Sequence, residues 1–246
     1  MIWIVGGTSE SAILGEIFQE KNIPHLITYA TKDGLELAKG NAINKDEPVE
    51  DFIVHKNIDT IIDVTHPFAV QMTAKVKKAA EKFALTYLRY DREKLVYPES
   101  SIQVDSYEEA YKLIENLKGT FFFTTGSNKI PDFEKVKGSN RFIYRILPTV
   151  DSIAKARNAG VEIKDLVAML GPFSEELNLA MLKSYQPDYL VTKDSGQAGG
   201  VEEKISAAEK LGIKTIIITR DQVQGQSWED FLKEVQKTIE EQKSRA

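Results

Sequence analysis

The stretch 191–204 places three residues that can do chemistry directly after a predicted strand. Lys193, Asp194 and Ser195 follow an apolar run, and Gly196 is the first of three glycines that lead into the next helix. A strand that opens a helix through small residues presents backbone N–H groups to an anionic ligand. The same pattern is also typical of an ordinary strand-to-helix turn, in which the glycines supply only backbone freedom. Five other predicted strands end in a similar way, and this recurrence favours a ligand site.

The first of these strand ends carries Gly6, Gly7, Thr8 and Ser9. Two glycines allow the backbone to approach a phosphate closely, and the two hydroxyls can bind the phosphate or cap the following helix. The segment lacks the complete G-x-G-x-x-G fingerprint of dinucleotide-binding proteins. The residues alone therefore leave a dinucleotide site and a structural turn equally open.

Thr65 and His66 follow another apolar strand, and Pro67 is suited to the first turn of a helix. At a helix N-terminus the dipole lowers the pKa of a histidine, and the neutral ring can bind a ligand or cap its own helix. Lys32 follows the second strand and could pair with the 2′-phosphate of NADPH. The acid next to it in the sequence leaves NADH open as the alternative.

The second half of the chain repeats the theme. Thr125, Gly126 and Ser127 follow a strand, Arg145 lies near the end of the next one, and Ser174 is suited to the N-cap of a helix. Two further arginines, Arg89 and Arg92, lie near a boundary loop. Single cations are most often surface salt-bridge partners, but several that converge on one cleft suit a polyanionic substrate.

Short apolar runs alternate with amphipathic helical segments along the chain, which predicts βαβ units and parallel sheets. The predicted strands are Ile2–Val5, His25–Tyr29, Thr60–Val64, Tyr87–Arg89, Thr120–Thr124, Arg141–Ile146, Leu166–Leu170, Asp188–Val191 and Thr215–Thr219. The predicted helices are Ser9–Glu20, Val49–Lys56, Ala69–Phe83, Ser106–Leu117, Ser152–Asn158, Ser174–Ser184, Val201–Leu211 and Ser227–Lys243. Charges and a proline over 91–101 indicate a boundary. We expect an α/β protein with two Rossmann-like domains, 1–97 and 98–246, and a cleft between them; the last helix closes the second domain.

Composition excludes several classes of function. A net charge of −5 over 246 residues disfavours nucleic acid as the partner. No apolar run is long enough to span a membrane, and the start of the chain lacks the charged region of a signal peptide, so we expect a cytoplasmic protein. The chain has no cysteine and only three histidines, which disfavours a dedicated metal centre. Oligomeric state stays open.

Six motifs in this order resemble the precorrin-6A reductase family over nearly the whole chain. They are Gly6-Gly7-Thr8-Ser9-Glu10, Asp63-Val64-Thr65-His66-Pro67-Phe68-Ala69, Thr124-Thr125-Gly126-Ser127, Arg145-Ile146-Leu147-Pro148, Gly171-Pro172-Phe173-Ser174 and Lys193-Asp194-Ser195-Gly196. The resemblance implies an enzyme of cobalamin biosynthesis. Such an enzyme reduces precorrin-6A, or its cobalt-containing counterpart, to the 6B form with NADPH or NADH.

The resemblance also implies roles for the motif residues. Thr8, Ser9, Thr65 and His66 would hold the cofactor or line the cleft, and the Gly6-Gly7 and Thr125-Gly126-Ser127 turns would join them. Lys193, Asp194, Ser195 and Gly196 would face the substrate or the nicotinamide, with Ser174 nearby. Arg145 and Lys204 would anchor the carboxylates of the corrin precursor. Lys193 and His66 are the candidate proton donors, with solvent as the alternative.

Two other classes of function compete with the reductase. A cofactor-free α/β enzyme similar to uroporphyrinogen synthase would also hold an anionic macrocycle between two Rossmann-like halves. A sugar- or nucleotide-binding module would use the same strand ends without catalysis. Binding of NADPH distinguishes the reductase from both alternatives, and turnover distinguishes the synthase-like enzyme from the binding module.

Overall fold

A computed structural model describes residues 1–29, 42–44, 47–93, 95–196, 200–219 and 226–243. The chain divides into two compact units. The first combines 1–94 with 223–246, and the second comprises 95–222. Each unit is built on one parallel sheet.

The first unit contains a five-stranded sheet in the order β3-β2-β1-β4-β5. Its strands are β1 (Ile2–Val5), β2 (His25–Tyr29), β3 (Ala42–Asn44), β4 (Thr60–Asp63) and β5 (Thr86–Arg89), and its helices are α1 (Ser9–Glu20), α2 (Val49–His55) and α3 (Val70–Lys82). The central strands β1 and β4 are buried along their whole length because helices cover both faces of the sheet. Alternate residues of β1 accordingly belong to two apolar clusters, with Ile4 in one and Trp3 in the other.

The second unit contains a six-stranded sheet in the order β6-β11-β10-β7-β8-β9. Its strands are β6 (Ile102–Val104), β7 (Thr120–Phe123), β8 (Arg141–Ile146), β9 (Leu166–Ala168), β10 (Tyr189–Lys193) and β11 (Lys214–Ile218). Its α-helices are α4 (Tyr107–Glu115), α5 (Ile130–Lys135), α6 (Val150–Asn158), α7 (Glu175–Tyr185) and α8 (Val201–Lys210), with a 3₁₀ turn over Ile163–Asp165.

Each sheet has a point at which the strand order reverses. In the first sheet β1 lies between β2 and β4, and in the second sheet β7 lies between β10 and β8. Ligands of open parallel sheets bind beyond the carboxyl ends of the strands at such points. The candidate ligand-binding loops are therefore those after β1 and β4 in the first unit, and those after β7 and β10 in the second.

The fold confirms the predicted α/β class with parallel sheets. Two boundaries near the site differ from the prediction. Strand β10 continues to Lys193, which pairs with Ile218 of β11, so Lys193 is the last strand residue and not a loop residue. Helix α3 begins at Val70, so Pro67 lies in a turn before the helix, and His66 is not in its first turn. None of the helices in the described part of the chain combines the length and apolar character needed to span a bilayer.

The last helix, α9 (Trp228–Lys243), groups with the first unit, whereas the sequence led us to expect it in the second domain. Its apolar side chains explain this placement. Phe231, Val235 and Ile239 are buried in the same cluster as Ile4 and Leu14 of the first unit. Burial of apolar surface therefore decides where the chain terminus packs, and position in the sequence does not.

Candidate functional site

The loop after β1 leaves open space beside a glycine at the start of α1. A side chain at Gly6 would come within 2.9 Å of the Ser11 hydroxyl, so this glycine allows the loop to pack on α1. Gly7 has a φ of +111°, which favours glycine, and the space where its side chain would lie is open. Ser9 donates a hydrogen bond to Glu10 (3.0 Å). The open side of Gly7 is thus a cradle at the start of a helix.

The loop after β4 lies against the loop after β1. The Thr8 hydroxyl donates to the carbonyl of Val64 at 2.7 Å, which ties the two loops together at the point where the strand order reverses. His66 is half-buried, and its Nδ1 accepts a hydrogen bond from the backbone N–H of Phe68 at 3.2 Å. Because that contact uses the lone pair of Nδ1, the neutral ring that it fits carries its proton on Nε2.

A buried ion pair beneath this loop holds Thr65 in place. Nη1 of Arg89 donates to Asp63 Oδ1 at 2.8 Å, to the Thr65 hydroxyl at 2.9 Å and to the Thr65 carbonyl at 3.1 Å. The Tyr87 hydroxyl donates to the other Asp63 oxygen at 3.0 Å, and burial together with the Asp63 charge raises the pKa of this tyrosine. The sequence suggested a surface role for Arg89, and the structure instead places it inside the fold.

Glu10 and Arg92 form a second buried ion pair next to the Gly6-Gly7 loop. The guanidinium of Arg92 donates to both carboxylate oxygens of Glu10, at 2.7 Å and 2.8 Å. Burial alone would raise the pKa of Glu10, but the hydrogen bonds and charge of Arg92 outweigh it and lower this pKa. Arg92 therefore neutralises an acid that would otherwise repel an anion from the first turn of α1.

The loop after β7 has a similar design in the second unit. Gly126 has a φ of +86° with open space on its side-chain side, and Ser127 donates to Ser152 at 3.1 Å. The Thr125 hydroxyl is buried and, among the described residues, has no hydrogen-bond partner. The same holds for Thr192 in β10. Buried hydroxyls without protein partners are suited to bind a ligand group or a water molecule.

The loop after β10 begins with Asp194 and Ser195, which follow Lys193 of the strand. Asp194 and Ser195 are buried, and the backbone N–H of Gly196 donates to Asp194 Oδ1 at 3.2 Å. Gly196 has a φ of +72°, so this tight turn favours glycine. The acid thus shapes its own loop, whereas Lys193 stands at the end of the strand.

Arg145 lies in β8 and is 7% exposed. Its Nη1 donates to Asn178 of α7 at 2.7 Å, and its guanidinium lies 4.4 Å from the centre of the Phe173 ring. Among the described residues no carboxylate pairs with it. Burial lowers the pKa of this arginine to about 10, which still leaves it charged at neutral pH. A buried guanidinium that rests on an aromatic ring and lacks an acid is suited to bind a carboxylate from outside.

Lys204 in the first turn of α8 belongs to the same cluster. It is 8% exposed, and within the described ranges it forms no hydrogen bond or ion pair. Burial and the positive charges of Arg145 and Lys193 lower its pKa to about 7, against a smaller opposing effect of Glu203. The structure therefore brings together Arg145, Lys193 and Lys204, which the sequence predicted as substrate contacts.

The remaining predicted residues take more local roles. Ser174 is the N-cap of α7, where its hydroxyl accepts from the backbone N–H of Leu177 at 3.3 Å. The predicted cofactor contacts are divided between the two units. The first unit contains Gly6, Gly7, Thr8, Ser9, Thr65 and His66, and the second contains Thr125, Gly126 and Ser127. In the described ranges no group of three or more His, Asp or Glu side chains is arranged to hold a metal ion.

The sequence did not indicate the contacts that three residues make at these sites. Asp63 and Arg89 are register partners on adjacent strands, a pairing that could have been derived from the two strand ends. Asn178 binds Arg145 from a helix that the sequence predicted, but nothing in the pattern of that helix indicates which face meets β8.

The parallel sheets, with loops beyond the carboxyl ends of their strands at the points where the strand order reverses, define the Rossmann-like class of α/β proteins. A model of the precorrin-6x reductase family, CbiJ/CobK, matches residues 1–240, so the chain belongs to this family. It is a family of precorrin-6A reductases, which identifies the protein as an oxidoreductase of cobalamin biosynthesis that uses a reduced nicotinamide cofactor. The synthase-like and non-catalytic alternatives are therefore set aside.

Individual relatives agree with the family assignment. Cobalt-precorrin-6A reductase of Priestia megaterium is 31% identical to this chain. The match covers 91% of this chain and 92% of the Priestia megaterium enzyme. The enzyme of the same name from Methanococcus maripaludis is 35% identical to this chain, and the match covers 90% of this chain and 92% of that enzyme. A solved structure of CobK precorrin-6A reductase matches with a TM-score of 0.76 at 21% identity, covering 90% of this chain and 88% of that one, and supports the fold.

Proposed function

We propose that this protein reduces cobalt-precorrin-6A to the 6B form with NADPH. Family membership supports the reaction class, and the names of the two relatives above support the cobalt-containing substrate. The observation that carries the substrate assignment is the cluster of the buried Arg145 and Lys204 with the half-buried Lys193, because a corrin precursor bears many carboxylates. When bound, the reduced nicotinamide supplies the hydride.

The first unit is proposed to grip the dinucleotide. The open side of Gly7 and the start of α1 suit its phosphates, with Thr8 and Ser9 in the same loop. Thr65, which Arg89 holds in place, and the adjacent His66 would contact the same ligand. Choice of NADPH rests on Lys32 alone, which lies outside the described residues, and NADH stays the alternative.

The second unit is proposed to bind the macrocycle. Arg145 and Lys204 would anchor substrate carboxylates, while Lys193, Asp194, Ser195 and Gly196 would line the same site with Ser174 at its side. The hydroxyl of Thr125 has no hydrogen-bond partner among the described residues, and we propose Thr125, Gly126 and Ser127 as cofactor contacts. Lys193 or His66 would deliver the proton that accompanies the hydride, with solvent as the third source.

Anaerobic turnover tests the proposal. The purified protein is mixed with precorrin-6A or cobalt-precorrin-6A and with NADPH or NADH in parallel, and the loss of nicotinamide absorbance is followed together with the spectrum of the macrocycle. We expect substrate-dependent oxidation of NADPH, fastest with the cobalt form. Faster oxidation of NADH, or of the metal-free substrate, would overturn the corresponding half of the proposal. No oxidation by folded protein in any combination would overturn the whole.

A further inference from the structure

Lys204 occupies a position that is unusual for a lysine. It lies one turn from Val201 on the side of α8 that is buried, next to Ile205, and only 8% of it is exposed. A buried ammonium without a hydrogen bond or an acidic partner is costly, so a lysine in this position tends to lose its proton. The described residues offer Lys204 no such partner.

The charges around Lys204 act in the same direction. Arg145 approaches from β8 and Lys193 from β10, and both are cations. On α8 itself, the charge of Glu203 favours the charged amine, but its effect is smaller than those of burial, Arg145 and Lys193. Glu175 of α7 is engaged with Ser206 and Lys210 further along α8, and Asp194 after β10 accepts a hydrogen bond from its own loop. Lys214 opens β11 at the opposite, amino end of that strand.

We propose that Lys204 is the residue through which the substrate site takes up a proton when a carboxylate of the macrocycle binds. The inference rests on the proposed function, since it requires the corrin precursor to bind beside Arg145. In the free protein, part of the population holds Lys204 as a neutral amine. A bound carboxylate adds a negative charge beside Lys204, so the amine gains one proton from solvent and becomes the partner of that carboxylate. No bond within the substrate changes in this step.

The size of the effect follows from the pKa of Lys204 in the free protein, which is about 7. If the bound carboxylate raises this pKa well above 8, binding takes up about half a proton at pH 7 and close to one at pH 8. Below pH 6 the amine is already charged, and the uptake falls towards zero. The carboxylates of the substrate are themselves ionised throughout this range and do not contribute.

Isothermal titration calorimetry measures the proton directly. Cobalt-precorrin-6A is titrated without cofactor into the full-length protein in pairs of buffers that differ in ionisation enthalpy, at pH 6, 7 and 8. The slope of binding enthalpy against buffer enthalpy gives the protons taken up. We expect slopes of about 0.1, 0.5 and 0.9, because these are the fractions of neutral amine at the three pH values.

Three variants assign the proton to Lys204. Lys204→Met removes the amine, and Lys204→Arg keeps a charge that does not titrate in this range, so both should bind with a slope near zero at pH 8. If Lys204→Met no longer binds the substrate, Lys204→Arg alone tests whether Lys204 takes up the proton. Lys183→Met, which removes an exposed lysine of α7, should match the unsubstituted protein.

A slope near zero for the unsubstituted protein at pH 8, with binding intact, would overturn the coupling and leave the proposed function standing. A slope that persists in both Lys204 variants would assign the proton to another group and would also overturn it. Folded protein that binds neither precorrin-6A nor its cobalt form would instead contradict the substrate assignment on which the inference rests.

Discussion

The pair formed by Glu10 and Arg92 shows how a single acid is accommodated beside a proposed anion site. Both side chains are less than 10% exposed, and two hydrogen bonds join them. A buried ion pair gains little over an apolar pair of equal shape, but removal of one partner leaves a charge without compensation. The pair therefore ties Arg92 to the start of α1 and keeps the cradle at Gly7 free of net negative charge.

Substitution of Glu10 by Gln should destabilise the protein by about 3 kcal/mol, because the buried guanidinium of Arg92 then loses its two hydrogen bonds to the Glu10 carboxylate. Urea denaturation followed by circular dichroism measures the loss. Lys82→Met breaks an ion pair with Glu50 in which both side chains are at least half exposed, and should cost less than about 1 kcal/mol. Equal effects of the two substitutions would contradict the buried role of Glu10.

The same pair predicts a dependence of stability on pH. Because the pKa of Glu10 is lower in the folded protein than its ordinary value of 4.5, its contribution is fully present above pH 4.5. The contribution is lost as the pH falls through the folded-state pKa. The free energy of unfolding should therefore fall more steeply below pH 4.5 in the unsubstituted protein than in Glu10→Gln. Parallel curves for the two proteins between pH 3 and 6 would contradict this assignment.

Among structural elements, the loop between β4 and α3 depends most on side-chain support. Its Thr65 is held by Arg89, which reaches it from the end of β5 and is itself fixed by Asp63 and by Asp91 (3.1 Å). A lysine at 89 would keep a positive charge but could not form this set of directed contacts. Hydrogen bonds of this kind hold the contact residues of a loop in the geometry that the ligand requires.

Arg89→Lys should therefore weaken NADPH binding by about 10- to 100-fold, since small displacements of contact residues have effects of this size. Fluorescence titration with NADPH and with the macrocycle gives the two dissociation constants. Binding of the macrocycle should change less than threefold, because its proposed contacts lie in the second unit. Lys78→Met on the exposed side of α3 is the control. An equal loss for both ligands would indicate a general structural role for Arg89.

Most helices and strands could be predicted from their apolar runs and from the periodic spacing of their apolar residues. The predicted bounds of β1, β2, β8 and α1 agree with the structure. The elements that were missed are short: β3 and β6 have three residues each and α5 has six, too few for a period to emerge. The sequence placed Arg145 near a strand end but left a surface salt bridge and a substrate contact both open. Its burial in β8 is known only from the structure.

The contacts of the site were harder to predict because they depend on which helix face meets which strand. Lys204 reaches Arg145 only through the packing of α8 on the sheet, which a single sequence does not specify. The pairing of Glu10 with Arg92 joins residues 82 positions apart. The sequence thus predicts where the strands end, but it does not predict which charged side chains pair or cluster at each strand end.

At the scale of the whole molecule, the chain returns to its first unit after completing the second. Helix α9 contributes Phe231, Val235 and Ile239 to the core around β1, so the first unit is assembled from both ends of the chain. The Phe231 ring is fully buried and lies 5.1 Å from the ring of Tyr90 and 5.6 Å from that of Trp228. Contacts between residues this distant in sequence add to the stability of the unit only once both segments are present.

Phe231→Ala should consequently destabilise the first unit by about 3–5 kcal/mol, because it removes a large side chain from a closed apolar cluster. Trp3 and Trp228 are the only tryptophans of the chain and both belong to this unit, so intrinsic fluorescence reports its unfolding in urea. Lys237→Ala on the exposed side of α9 should change the free energy of unfolding by no more than about 0.5 kcal/mol. A fluorescence midpoint unchanged by Phe231→Ala would mean that α9 contributes little to the first unit, and the boundary predicted from the sequence would then describe the folding units better than the contacts do.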